Sequence, residues 1–274
     1  MTSHLEERPG QPPKVLTIAG SDSGGAAGLQ ADLKTFNTLG VYGMSAVTVV
    51  TAQNSEEISV IQPIPSELVA AQIEAVLSDY GAEAIKSGFI GSPETIQAIG
   101  VVLNKFKPPR IIIDPVLVDH RGESMFDSSV SDAYIKYLFP LADLVTPNIP
   151  EAQILQGSPV ISLSEVEKVA RRIQLYGSTW VLIKGWRQDN YVIDILFGHR
   201  SIHQFRSHFI DTPNTHGSGD TLSAAICAFL AKDASMLDAV KMAHKYTNRA
   251  IRKAADWHLG RGHGPLYHSA DNLA

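Results

Sequence analysis

Short apolar runs rich in β-branched residues alternate with longer amphipathic stretches along most of this 274-residue chain. The short runs predict strands over residues 15–19, 46–51, 84–87, 111–113, 144–146 and 180–183. The longer stretches predict helices over residues 28–39, 67–77, 93–106, 131–138, 165–176, 222–230 and 237–254. Because consecutive parallel strands are usually joined by a helix, this alternation indicates a three-layer α/β/α protein with a central, mostly parallel sheet.

Two further strand-like runs, over residues 191–197 and 201–205, lie outside this alternation. They are joined around Gly198, which predicts a small β-hairpin addition to the sheet. No linker rich in proline and serine divides the chain, so we predict a single domain over residues 14–274. Residues 1–13 carry prolines, a glycine and charged side chains, and they predict a flexible N-terminal tail.

Composition narrows the classes of partner that the chain can have. The formal net charge is −5, so nothing indicates a general affinity for nucleic acid or for an anionic membrane surface. No apolar stretch reaches the roughly 18 residues that a membrane-spanning helix needs. The single cysteine, Cys227, excludes an internal disulfide framework and fits a reducing compartment. We therefore expect a cytoplasmic protein that acts on a small molecule, with neither nucleic acid nor membrane as a partner.

The strongest chemical signal lies in residues 211–221, which read D-T-P-N-T-H-G-S-G-D-T before an apolar helix. The backbone N–H groups of Gly217, Ser218 and Gly219, with the helix N-terminus behind them, form a site for anionic oxygens. Asp220 is placed to take a proton from an attacking hydroxyl. An anion site beside a base indicates phosphoryl transfer to an alcohol. The alternative is a glycine-rich turn in which Asp220 is only a helix N-cap.

Polar residues follow the predicted strands at the edge where open α/β sheets bind ligands. They are Gly20, Ser21, Asp22, Gln53, Asn54, Ser87, Gly88, Asp114, Asn148 and Lys184. The common nucleotide motifs are missing, because residues 21–28 do not match the G-x-G-x-x-G spacing and the chain contains no Gly-Lys pair of a P-loop. A nicotinamide dehydrogenase is therefore disfavoured.

Three of the candidate ligand-binding residues each have a structural alternative. Gln53 can read the edge of a heteroaromatic ring, or it can be a loop amide bonded to the backbone. Asp32 can bind a small polar substrate, or it can be a solvated surface acid. Lys184 can reach nucleotide phosphates as a point charge, or it can face solvent.

Asp114, Asn148 and Glu151 are the candidate metal ligands. Hard oxygen ligands that follow strands suit Mg²⁺, which usually keeps waters and binds few protein groups. Glu151 also fits as an acidic residue in the first turn of a helix. The presence of Asp114 and Asn148 favours the metal.

Seven motifs, in this order along the chain, closely resemble those of the hydroxymethylpyrimidine/phosphomethylpyrimidine kinases. They are A-G-S-D-S-G-G-A-A-G-L-Q-A-D-L-K (residues 19–34), V-T-A-Q-N (50–54), I-D-P-V (113–116), T-P-N-I-P-E-A (146–152), I-K-G (183–185), N-T-H-G-S-G-D-T-L-S-A-A-I (214–226) and G-H-G-P (262–265). These thiamin-pathway enzymes belong to the ribokinase-like superfamily. The resemblance covers nearly the whole chain after the tail. It implies a ribokinase-like fold, ATP as co-substrate with Mg²⁺, a homodimer, and phosphorylation first of hydroxymethylpyrimidine and then of its monophosphate.

Carried over position by position, the resemblance implies a role for each site residue. The substrate would contact Gly20, Asp32, Gln53, Phe89 and Val116. The nucleotide would contact Asp114, Lys184 and Thr215. Mg²⁺ and its waters would be organised by Asp114, Asn148 and Glu151. Gly217, Ser218 and Gly219 would form the anion hole, and the catalytic Asp220 would face the substrate hydroxymethyl group.

Two positions depart from the pattern that the resemblance implies. Pyrimidine kinases of this type usually carry cysteine where this chain has Asp220, and they often carry methionine where it has Phe89. Aspartate at the position of Asp220 is common in the wider superfamily, including many pyridoxal kinases. Pyridoxal/pyridoxine kinase is therefore the alternative among enzymes. A vitamin-binding sensor without turnover is the alternative of another class.

Overall fold

The computed structural model describes residues 10–119 and 121–269. Its strands are β1 (Lys14–Asp22), β2 (Tyr42–Gln53), β3 (Ile58–Pro63), β4 (Ala84–Ser87), β5 (Ile111–Ile113), β6 (Leu144–Val145), β7 (Trp180–Gln188), β8 (Tyr191–Gly198) and β9 (Ser201–His208). Its helices are α1 (Gly28–Thr38), α2 (Ser66–Asp79), α3 (Pro93–Phe106), α4 (Ser128–Ala133), α5 (Ile149–Gln156), α6 (Leu163–Gln174), α7 (Ser218–Ala231) and α8 (Met236–Ala254). Every strand and helix that the sequence predicts is present, although several of their ends lie elsewhere.

The described strands form one nine-stranded sheet in the order β3-β2-β1-β4-β5-β6-β7-β8-β9. All neighbouring pairs from β2 to β7 are parallel. The edge strand β3 is antiparallel to β2, and β8 and β9 are antiparallel additions at the other edge. The predicted hairpin is thus β8 and β9, which continue the sheet through a turn at His199 and Arg200, both with positive φ. The predicted α/β fold with a mostly parallel sheet is confirmed.

Helices cover both faces of this sheet and bury an apolar cluster on each. On one face, α1, α7 and α8 enclose residues such as Phe36 and Ile226. On the other face, α2 to α6 enclose residues such as Ile99. β1 contributes to both clusters, because Val15 belongs to the first and Leu16 to the second. Full burial of one such side chain contributes about 1.5–3 kcal/mol, so the two clusters hold the strand ends in a fixed arrangement.

β3 has no counterpart in the sequence prediction. All six of its residues are exposed, and among the described strands it pairs with β2 alone, so its side chains show no alternation between a core and a solvent face. The predicted helix over residues 131–138 also differs, since α4 begins at Ser128 and continues from Ala133 as a π-helical turn over Tyr134–Leu138.

The predicted N-terminal tail, residues 1–13, falls largely on residues 1–9, which lie outside the described residues. β1 begins at Lys14, and the single domain over residues 14–274 stays a prediction. Among the described helices, none combines the length and the apolarity that crossing a membrane demands.

Candidate active site

The carboxyl ends of the parallel strands and the beginning of α7 meet at one place. Lys86 near the end of β4 contacts Asp220 in the first turn of α7 at 2.9 Å. Lys184 of β7 contacts Asp114, which directly follows β5, at 2.8 Å. The sheet therefore brings together residues that are far apart in the sequence, at the edge where the strand pattern predicts a ligand.

The turn before α7 packs closely against the loop after β1 and against Lys184. Gly217 precedes the helix with a φ of 80°, a left-handed conformation that favours glycine. A Cβ atom on Gly217 would overlap the carbonyl oxygen of Ala26, because the loop after β1 packs directly against this turn. A Cβ atom on Gly219 would lie 3.3 Å from the Lys184 Nζ atom. The positive end of the helix dipole and a lysine ammonium group thus face the same small region, which suits an anion.

Asp220 is the third residue of α7 and is not its N-cap, so the structural alternative for this residue is not observed. Lys86 Nζ donates to its Oδ1 atom at 2.9 Å, and the Gly28 N–H donates to its Oδ2 atom at 3.2 Å. Burial raises the pKa of Asp220, but the Lys86 ammonium and the Gly28 N–H outweigh burial and hold the pKa below its ordinary value of 3.8. The carboxylate is therefore ionised at neutral pH.

Lys86 is a site residue that the sequence analysis does not identify. Its Nζ atom lies 2.8 and 2.9 Å from the two carboxylate oxygens of Asp32, and the Thr17 hydroxyl donates to Asp32 at 2.5 Å. The side chains of Lys86 and Asp32 are both 0% exposed. The sequence did contain a signal for Lys86, because a lysine inside a strand that is buried on both faces needs an ionic partner.

The burial of Asp32 corrects one expectation for that residue. It is not a solvated surface acid, because none of its side chain is exposed. Lys86 and Thr17 bond both oxygens of Asp32, and the contact with the aminopyrimidine that the resemblance implies stays a prediction. Asp32 also holds Lys86, the residue that contacts Asp220.

Asp114 and Lys184 form a second ion pair beside the turn. The Asp114 Oδ1 atom lies 2.8 Å from Lys184 Nζ, and its Oδ2 atom accepts a hydrogen bond from the Ser223 hydroxyl at 2.9 Å. The Lys184 side chain is only 11% exposed, so the solvent-facing alternative is not observed. Burial lowers the pKa of Lys184, but Asp114 and Glu151 outweigh it and raise the pKa above its ordinary value. Lys184 is therefore a fixed cation.

Asn148 and Glu151 form a capping box at the beginning of α5. The Asn148 side chain accepts from the Glu151 N–H at 2.9 Å, and the Glu151 carboxylate accepts from the Asn148 N–H at 2.8 Å. Burial raises the pKa of Glu151 to about 8, with Lys184 opposing this shift and Asp114 adding to it. Within residues 10–119 and 121–269, no group of three acidic, histidine or cysteine side chains forms a ready metal cage. The observed contacts of Asn148 and Glu151 are therefore those of a helix cap, and their predicted role at a metal ion stays a prediction.

Of the predicted substrate residues, Gly20 lies near the end of β1, Phe89 follows β4 and Val116 follows β5. A Cβ atom on Gly20 would lie 3.1 Å from the Phe89 Cδ1 atom, so these two residues are neighbours. Phe89 stacks on Phe126 with ring centroids 5.6 Å apart. Val116 follows β5 and is partly exposed, as is Phe89. An aromatic surface therefore lies next to the end of β1.

The side-chain amide of Gln53 contacts another side chain. The alternative, an amide bonded to the backbone, is not what the described contacts show. Its Nε2 atom lies 3.0 Å from the His216 Nε2 atom. His216 in turn lies 3.9 Å from the Asp22 carboxylate. A predicted substrate residue is thereby linked to the turn that precedes α7, through a histidine that the sequence analysis does not single out.

Thr215 and the segment over residues 262–265 brace this turn. The Thr215 hydroxyl contacts the His263 Nε2 atom at 2.8 Å, and the His216 N–H donates to the Gly264 carbonyl oxygen at 3.0 Å. The Thr215 carbonyl oxygen accepts from the Ser218 N–H at 3.1 Å. The observed contacts of Thr215 are therefore structural, and its predicted contact with the nucleotide stays a prediction.

Comparison with protein families and curated proteins supports the same class of protein. The family model described as phosphomethylpyrimidine kinase matches residues 22–267. The chain is 41% identical to the hydroxymethylpyrimidine/phosphomethylpyrimidine kinase of Rhizobium meliloti, over 93% of this chain and 96% of that protein. It is 43% identical to the thiamine biosynthesis bifunctional protein ThiED of Geobacter sulfurreducens, over 93% of this chain. It spans 52% of that relative, about half of its length.

Solved structures of two kinases share the fold. Pyridoxal kinase from Bacillus subtilis in complex with ADP superposes with a TM-score of 0.89 at 34% identity, over 96% of this chain and 100% of that one. Phosphomethylpyrimidine kinase from Clostridium difficile superposes with a TM-score of 0.79 at 37% identity, over 87% of this chain and 99% of that one. The predicted ribokinase-like fold and the predicted class of enzyme are confirmed. Sequence, fold and relatives agree that this chain belongs to the phosphomethylpyrimidine kinase family.

Proposed function

We propose that this chain transfers the γ-phosphoryl group of ATP to the hydroxymethyl group of 4-amino-5-hydroxymethyl-2-methylpyrimidine, and then to the resulting monophosphate, in thiamine biosynthesis. One observation carries the proposal. The ionised Asp220 stands in the first turn of α7, next to the helix N-terminus that Lys184 approaches. The names of the relatives from Rhizobium meliloti and Geobacter sulfurreducens support the pyrimidine and the pathway.

In this mechanism the terminal phosphate of ATP lies against the N–H groups of residues 217–219, with Lys184 as a point charge. The substrate hydroxyl oxygen forms a bond to the γ-phosphorus atom while the bond to the β–γ bridging oxygen breaks and ADP leaves. Asp220 orients the hydroxyl group and accepts its proton. A base of low pKa suffices, because a loose transition state needs little early deprotonation.

Mg²⁺ fits this site as an ion held mainly through waters and phosphate oxygens. The carboxylate of Glu151 is buried, its pKa is raised to about 8 by burial, and Asp114 adds to that shift, so a nearby cation would relieve the repulsion between these acids. Asp114, Glu151 and Asn148 are the residues that we propose to organise the ion and its waters. When bound, Mg²⁺ would neutralise charge on the phosphates.

Pyridoxal is the second candidate substrate. Two observations favour it: aspartate at position 220, and a TM-score of 0.89 with pyridoxal kinase against 0.79 with phosphomethylpyrimidine kinase. Sequence identity points to the pyrimidine, since the curated relatives named for it reach 41% over nearly their whole length. The sensor without turnover has no support, because the turn before α7 and Lys184 are both in place.

Kinetics with a panel of substrates tests the proposal, with the mono- and diphosphate products measured separately. In the presence of ATP and Mg²⁺, we expect kcat/KM for the pyrimidine alcohol to exceed that for pyridoxal by about 10²-fold or more. We expect the monophosphate to appear before the diphosphate, and EDTA to stop both reactions. A higher kcat/KM for pyridoxal would establish the second candidate. Binding of either alcohol without consumption of ATP would establish the sensor.

We also propose that the protein is a homodimer in the cytoplasm. The edge strand β3 supports self-association, because its free edge exposes Ile58, Val60 and Ile61 at 43%, 57% and 47%. Sedimentation equilibrium is expected to give twice the mass of one chain, and Val60→Lys is expected to shift the mass toward one chain. A single-chain mass for the unaltered protein at micromolar concentration would contradict the dimer.

The single cysteine, Cys227, supports the proposal that the protein works in the reducing environment of the cytoplasm.

A further inference from the structure

A buried ammonium group lies directly beneath the carboxylate that we propose as the base. Lys86 Nζ makes three short contacts, at 2.8 and 2.9 Å to the oxygens of Asp32 and at 2.9 Å to Oδ1 of Asp220. An ammonium group has three N–H donors, so these contacts use all of them. The Lys86 side chain is 0% exposed, and it does not reach solvent or a ligand from this position.

We propose that Lys86 is a positioning residue for phosphoryl transfer, whose ammonium group holds the Asp220 carboxylate ionised and in one orientation toward the acceptor hydroxyl. This inference rests on the proposed role of Asp220 in the reaction. Asp32 holds the ammonium group from the opposite side, and the Thr17 hydroxyl holds Asp32 at 2.5 Å. The Gly28 N–H fixes the second oxygen of Asp220 at 3.2 Å. The carboxylate is therefore held at both oxygens by donors from two other elements.

The charges of this cluster favour an anion at Asp220 rather than at Asp32. Two carboxylates share one ammonium group, and the Asp32 side chain is 0% exposed whereas that of Asp220 is 16% exposed, so their repulsion raises the pKa of the fully buried one. Burial raises the pKa of Asp32 to about 7 although Lys86 opposes the shift, and Asp220 adds to it. As the pH falls, Asp32 therefore takes a proton before Asp220. Lys86 then pairs with Asp220 alone, and the proposed base stays ionised.

Other titratable groups surround the cluster and act on it more weakly. Asp114 raises the pKa of Lys86, and Lys184 lowers the pKa of Asp220. Each of these effects is smaller than the effect of Lys86 and Asp220 on each other. His268 is held neutral near pH 7, because burial lowers its pKa to about 4. Burial raises the pKa of the Cys227 thiol well above its ordinary value. None of these groups replaces Lys86 as the ionic partner of Asp220 in the part of the chain that the structure describes.

The test compares Lys86→Met with the double variant Lys86→Met/Asp32→Asn. The single variant leaves two buried carboxylates without a cation, and it can fail to fold. The double variant neutralises Asp32, which removes that repulsion and restores thermal stability toward that of the unaltered protein. Asp220 still lacks its ionic partner in the double variant. Lys105→Met is the matched control, because Lys105 forms an exposed ion pair with Glu74 at 2.9 Å.

We expect the folded double variant to keep a defect in catalysis. The acid limb of its pH profile for kcat/KM should lie about 1–3 pH units above that of the unaltered enzyme, because the Lys86 ammonium group no longer opposes the effect of burial on the pKa of Asp220. We expect kcat at the optimum to fall about 10- to 10²-fold because the carboxylate loses its fixed orientation. Lys105→Met should leave both quantities unchanged. A double variant with an unaltered kcat and pH profile would overturn the inference and leave Lys86 a structural residue.

A second measurement separates this inference from the proposed function. The pKa of Asp220 can be read in the free enzyme from the ¹³C shift of its carboxyl group, identified by comparison with Asp220→Asn. We expect that pKa to rise in the double variant by the same 1–3 units. If no substrate of the panel is phosphorylated, the proposed function fails while this titration still decides whether Lys86 holds the carboxylate ionised. An unchanged pKa of Asp220 would overturn the inference even in an active kinase.

Discussion

Asp220→Asn is expected to lower kcat by about 10²–10⁴-fold and to leave ATP binding largely unchanged. Asparagine has nearly the same shape as aspartate, but its amide cannot accept the proton of the substrate hydroxyl. The phosphates of ATP are proposed to contact the backbone of residues 217–219 and Lys184, which the substitution does not alter. The loss should therefore fall on kcat and not on the dissociation constant of ATP.

Steady-state kinetics and calorimetric titration with a non-hydrolysable ATP analogue measure the two effects separately. Asp79→Asn, at the exposed end of α2, is a matched control that should leave both unchanged. Turnover near that of the unaltered enzyme in Asp220→Asn would remove Asp220 from the chemistry. A comparable loss of ATP affinity would show that the residue serves the nucleotide site and not the acceptor.

Gly217→Ala is expected to reduce both stability and turnover strongly. Alanine at a φ of 80° is strained, and its Cβ atom would overlap the carbonyl oxygen of Ala26. The strain and the overlap together should lower the free energy of unfolding by about 2–5 kcal/mol. The loop after β1 must then move away from the turn. A displacement of about 1 Å at the reacting atoms can lower the rate about 10²-fold.

Gly157→Ala is the matched control for this substitution. Gly157 ends α5 with a φ of 74°, and a Cβ atom there would meet no described atom within 4 Å. We expect it to cost about 1–2 kcal/mol of unfolding free energy from backbone strain alone, with kcat unchanged. Chemical denaturation and initial-rate kinetics on both variants make the comparison. Equal effects of the two substitutions would show that the packing of the loop on the turn is unimportant.

The sequence was sufficient to predict that the candidate site residues meet at one edge of the sheet. Asp114, Lys184 and the turn before α7 follow strands or begin a helix, and parallel strands place their carboxyl ends at one edge of the sheet. The structure brings these residues into contact at that edge. The spacing of the apolar residues also predicted seven of the eight described helices; α5 was missed, and α7 is buried on all sides over residues 221–228.

The sequence did not reveal the contacts within the site. Lys86 and Asp32 lie 54 residues apart, and nothing in the local pattern around either residue indicates that they pair. Asp32 lies on α1, one turn after a glycine-rich loop, so its sequence position was as compatible with a solvated surface acid as with a substrate-binding residue. β3 was missed for the opposite reason, because an exposed edge strand has no buried side to give its sequence a period.

A crystal structure with a non-hydrolysable ATP analogue, Mg²⁺ and the pyrimidine alcohol would test the central claim most directly. We predict that the acceptor oxygen lies within about 3.2 Å of an Asp220 carboxylate oxygen, and that the terminal phosphate contacts the N–H groups of residues 217–219. An acceptor oxygen beyond hydrogen-bond reach of Asp220, or a phosphate bound away from that turn, would contradict the account.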